Sequence, residues 1–63
     1  MNKNARINME DTCNGLKKVK DDLNNAAWSV ENINIKKRIE SQIPGLNGLI
    51  SECEQIISDL SQY

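Results

Sequence analysis

Sixty-three residues carry eight Lys or Arg, nine Asp or Glu and no His, a net charge of −1 that offers no broad positive field to nucleic acid or anionic lipid. The 38% apolar fraction includes one Trp, one Tyr and no Phe, so any core is aliphatic; one small domain of this length buries only about 60% of the surface its unfolded chain exposes. No apolar run nears the roughly 18 residues of a membrane span, and Met1-Asn2-Lys3-Asn4-Ala5-Arg6 has no signal-peptide character; the expected chain is cytoplasmic, or exported by a route that needs no signal peptide, with no membrane partner.

The first predicted element is a helix over about 8–31. Met9, Leu16, Leu23 and Val30 lie seven apart, and Thr12, Val19, Ala26 and Ile33 interleave with them in a 3-4-3-4 stripe. Asn8 is the expected cap, with Asp11 three residues on in the capping-box position. Asn14-Gly15 is a turn-like pair inside the stripe, where Gly costs about 1 kcal/mol against Ala. Asn32-Ile33-Asn34 holds the turn, at about 32–34.

A second helix is predicted over about 35–62. Its stripe runs Ile39, Ile43, Leu46, Ile50, Cys53, Ile57, Leu60, widened by Leu49, Ile56 and Tyr63. Lys36, Lys37 and Arg38 crowd its first turn, where the helix dipole disfavours cations. Pro44-Gly45 removes a backbone donor and restricts Ile43, so a kink is expected there, although the apolar register crosses it without slipping. Opposite charges four apart, Lys17 with Asp21, Lys18 with Asp22 and Lys36 with Glu40, read as solvated surface worth about 0.2–0.5 kcal/mol each. The fold class that follows is all-α: residues 1–63 form an antiparallel helical hairpin, its second helix kinked at Pro44, that completes a four-helix bundle by association.

With the turn centred at 32–34, facing residues have numbers summing to about 66, which pairs Cys13 with Cys53, Leu16 with Ile50, Leu23 with Ile43 and Met9 with Ile57. The cysteines are then either a disulfide or a pair of buried thiols in a reducing compartment; two Cys without His make only half a zinc site. Without His the chain lacks the usual general base and metal ligand, and its acids spread along exposed faces, so no enzyme, cofactor or small-molecule substrate is expected. Pro44-Gly45-Leu46-Asn47-Gly48 lacks the Lys-Ser/Thr ending of a phosphate loop, and Lys36-Lys37-Arg38 alone is far below a nucleic-acid footprint. Trp28 near the turn either covers the end of a thin core or anchors a partner.

The apolar faces are broader than one opposing helix can cover, because Leu49, Ile56, Ala27 and Trp28 extend them; a second hairpin, either another copy or a different helical protein, is the expected partner. Two helices of similar length with Trp28-Ser29-Val30 near the turn resemble the Trp-x-Gly helical hairpins of bacterial type VII secretion, in particular the short helical partners of Leu-x-Gly toxins, with Val30 in the place of the family's Gly. The resemblance implies a dimerising partner or targeting factor for a secreted helical protein. The competing expectation is a homodimeric coiled-coil regulatory or structural module, antitoxin-like or transcription-associated. A third is a segment of a longer coiled-coil protein, since the stripe reaches residue 63 without a helix stop.

Overall fold

A computed structural model describes residues 2–62, which form three helices: α1, Lys3–Ser29; α2, Ile33–Glu40; and α3, Ile43–Gln62. Among the described residues there is no strand, and the architecture is an all-α hairpin with one long arm, α1, and one bent arm, α2 and α3. Tyr63, expected on the widened face of the second arm, lies outside the described residues.

α1 begins at Lys3, not at Asn8. Nothing between residues 3 and 8 forbids helix, and Asn8 sits inside it, its carbonyl accepting both along the helix and from Thr12 Oγ1 at 2.8 Å. Asn2 precedes the helix without a side-chain cap bond; its amide donates across the hairpin to the Leu60 carbonyl at 3.4 Å. Asn14-Gly15 does not interrupt α1, because the helix is held by its packed face and Gly15 keeps φ negative.

The reversal occupies Val30–Asn32, two residues earlier than the sequence suggests. Val30 turns extended (φ −89°, ψ 127°), and Asn32 caps α2, its side-chain oxygen accepting from the Asn34 and Ile35 amides at 3.0 and 3.1 Å. Asn32 thus satisfies two of the donors every helix start leaves open, while Asn34 lies within the helix.

The second arm breaks at Ser41-Gln42, just ahead of the expected kink. Pro44 has no N–H to donate and lies in the first turn of α3, where no donor is needed. Ser41 stays in the helical region (φ −65°, ψ −15°) and donates to the Lys37 carbonyl at 3.0 Å, so the arm bends without reversing. The break also changes the electrostatics of the basic run. Lys37 and Arg38 fall in the last turn of α2, where the dipole favours cations, not in the first turn of one long helix.

Of the expected i,i+4 pairs, Lys18–Asp22 forms at 3.1 Å; the other ion pair among the described residues is Arg6–Glu10 at 3.7 Å. Lys36 lies over the Trp28 ring instead, 5.5 Å from its centroid. Lys17 is exposed. Lys17→Ala is therefore expected to change stability by less than about 0.5 kcal/mol, and a loss above about 1 kcal/mol in chemical denaturation would show that the exposed face is engaged.

The hairpin is long and thin, 49 × 15 × 9 Å. Its radius of gyration is 14.8 Å, against the roughly 11 Å expected of a compact domain of this length.

Candidate protein interface

The packed seam centres on Cys13 of α1 with Ile50 and Cys53 of α3, joined by the partly buried Met9, Leu16 and Ile57. At 4% and 3% exposure, Cys13 and Cys53 are among the best-shielded side chains of the described residues, and both are free thiols. The Cys53 thiol donates to the Met9 carbonyl at 3.4 Å, a contact between residues 44 apart in sequence. Burial pushes the Cys53 thiol above its ordinary 9.0, the adjoining Cys13 and Glu54 add to the rise, and Lys17 opposes it. A thiol so held is protonated at neutral pH and a poor nucleophile.

On α1 the inward positions are Met9, Cys13, Leu16, Lys20, Leu23 and Ala27, the last only 5% exposed. The expected stripe shares Met9, Leu16 and Leu23 but substitutes Thr12, Val19 and Ala26 for Cys13, Lys20 and Ala27. The structure leaves Thr12, Val19 and Ala26 exposed. Both choices keep 3-4 spacing; the hairpin takes the flank that lets Cys13 and Ala27 approach α3, and Lys20 can run its aliphatic stem along the seam. Lys20 and Ala27 are the seam positions the sequence pattern passes over, a charged residue and a small one between larger apolar neighbours.

The remaining expected positions divide cleanly. Val30, Ile39, Ile43, Leu46, Ile56 and Leu60 are half-buried, as are Leu23 and Ile57. Val19, Leu49 and Trp28 are exposed, at 47, 57 and 83%. Trp28 does not cover the end of the core: it follows Ala27 by one residue, turned about 100° out of the seam.

Part of the uncovered apolar surface, Val19 and Leu49 included, lies on one side of the hairpin, while Ile7 and Trp28 lie off it. Thr12, Val19 and Ala26 each precede a seam residue of α1 by one position, and Leu49 and Ile56 precede Ile50 and Ile57 of α3 in the same way. Equal rotational offsets on two antiparallel helices point to the same side. A groove of about 170 Å³ opens there, lined by Met9, Thr12, Leu16, Leu49, Glu52, Cys53 and Ile56. A wider groove of about 350 Å³ lies toward the turn, between Leu23 of α1 and Ile35, Arg38, Ile39 and Gln42. Ile33 and Ile35, at 58 and 46% exposure, extend the apolar surface at that end.

The side carrying Val19 and Leu49 thus combines apolar side chains at heptad spacing with a shallow groove between them. No described helix is long and apolar enough to cross a membrane, and among the described residues no three His, Cys, Asp or Glu gather as a metal site would require. In comparison with known proteins, no protein family, curated protein or solved structure matches this chain.

Proposed function

We propose that this chain is a non-enzymatic interaction module whose hairpin completes a four-helix bundle with a second helical hairpin. The observation that carries the reading is the exposure of Val19 and Leu49 beside the groove floored by Leu16 and Ile56. Apolar residues repeated at heptad spacing on one side of a two-helix unit are the pattern that bundle formation buries. Two helices with one thin seam also leave a chain of this size short of the burial that secures a fold.

The resemblance to the type VII Trp-x-Gly hairpins supports a specific form of this function, a partner or targeting factor for a secreted helical protein. The exposed Trp28 next to the turn supports it too, as an aromatic that touches Lys36 within the chain and leaves most of its surface to anchor a partner. The homodimeric regulatory or structural module is the second reading, favoured by the near-neutral charge of the uncovered side, where Glu52 is the one charged residue lining the groove.

Helicity and urea unfolding of the isolated chain across a dilution series test the proposal. The expected result is a midpoint that rises with protein concentration, or low helicity until a partner is supplied. A fully helical monomer with a cooperative, concentration-independent midpoint would overturn it.

A further inference from the structure

We propose that the side of the hairpin carrying Thr12, Leu16, Val19, Leu49, Glu52 and Ile56 docks against the same side of a second copy of this chain; this rests on the association reading above and names its partner. Two separate chains, each exposing 4865 Å², present about 9,700 Å² in all. A compact globule of twice 7.1 kDa exposes about 6,800 Å². The difference, near 2,900 Å², falls within the roughly 2,000–5,000 Å² that obligate homodimers bury. A second copy that brought this elongated hairpin to ordinary compactness would thus bury an area of the size a stable dimer needs.

The surface also meets the requirement of a two-fold interface, that one patch hold both a projection and its recess. Leu49 projects at 57% exposure, and the groove between Leu16 and Ile56 lies beside it. Charge does not oppose the pairing, since Glu52 alone is charged in that lining and each chain carries only −1.

Gly15 adds support. It lies inside α1 without positive φ, and a Cβ built there meets nothing within 4 Å. The lone hairpin gives no steric reason for it. Gly15 precedes the seam residue Leu16 by one position and lies one turn from Val19, on the flank where a neighbouring backbone would come close.

Light scattering on a size-exclusion column, with circular dichroism of the same samples, is the test. The wild-type chain is expected at twice 7.1 kDa, and Leu49→Glu and Val19→Glu at half the wild-type mass. Gly15→Ala separates an interface from simple helix propensity: it raises helicity and stability in a lone hairpin, but weakens assembly several-fold if a second backbone packs there. A dimer that both glutamate variants leave intact overturns the assigned face. A poorly helical wild-type monomer overturns the second copy while leaving a foreign partner in place. A fully helical wild-type monomer overturns both the second copy and the association reading.

Discussion

Ile50→Asp is expected to unfold the chain, read as loss of most of the helical circular dichroism signal. Ile50 is 9% exposed at the centre of the seam, between Cys13 and Cys53. Removing a buried Ile side chain to a small one costs about 2–5 kcal/mol, and the carboxylate left in its place meets no cation in the surrounding cluster of Met9, Cys13, Leu16, Cys53 and Ile57. Burying it uncompensated adds several kcal/mol more, or forces it to open the seam to water. A domain of this size holds rarely more than about 3–5 kcal/mol in total, so the loss exceeds what there is to lose. Leu23→Asp is the informative companion. Leu23 is only half-buried and lines the wider groove together with Arg38, so the new carboxylate has both water and a guanidinium within the same groove. It is expected to keep more helicity than Ile50→Asp under the same conditions. Equal helicity in the two variants, with Ile50→Asp still folded, would show that α1 and α3 do not pack through the Cys13–Ile50–Cys53 cluster.

The contrast between these two positions shows what the sequence makes legible. A stripe at heptad spacing on each side of an Asn-rich segment is enough for two apolar helices joined by a tight reversal, because the periodicity states which residues cannot face water. The same pattern leaves the seam of α1 ambiguous by one residue. Met9, Leu16 and Leu23 can be completed by Thr12 and Val19 or by Cys13 and Lys20, and ranking by side-chain hydropathy favours Val19 over Lys20. Packing decides otherwise, because Cys13 and Ala27 are small enough to let the helices close and the lysine stem can lie along the seam while its ammonium reaches water. The same closure leaves Val19 and Leu49 outside, so the candidate interface is defined by the flank that the hairpin declines, a fact that two stripes read separately do not contain. Helix ends were less legible for a different reason. Asn8, Asn32 and Asn34 have the same capping chemistry, and only the tertiary reversal selects Asn32 to use it. The second arm bends at Ser41-Gln42, ahead of the position where the sequence places a kink, and Pro44 itself lies inside α3.

Oxidation is expected to join Cys13 to Cys53 and to raise stability by about 4 kcal/mol, the chain-entropy value for closing a loop of about 40 residues. Both thiols sit in one buried cluster across the α1–α3 seam, and the Cys53 thiol is already fixed by its bond to the Met9 carbonyl. With oxidised glutathione as the oxidant, the two thiols lose two protons and two electrons, one sulfur–sulfur bond forms, and two molecules of reduced glutathione leave. The reaction should be slow in the native state, because burial holds the Cys53 thiol protonated and only openings of the hairpin expose it. The same shift fixes how the reduced chain answers to pH. A thiol whose folded pKa is raised binds its proton more tightly in the folded state, so its contribution is fully present below about 9.0, the ordinary value, and is lost as pH rises through the higher folded one. Reduced protein is thus expected to weaken in alkaline solution, and oxidised protein, which has no thiol to titrate, to lose that dependence. Intact mass, which falls by two hydrogens on closure, followed by urea midpoints with and without reductant, checks both statements. A disulfide that forms between chains in place of Cys13–Cys53, or an oxidised chain no more stable than the reduced one, would show that the two sulfurs do not meet across the seam in a bridging geometry.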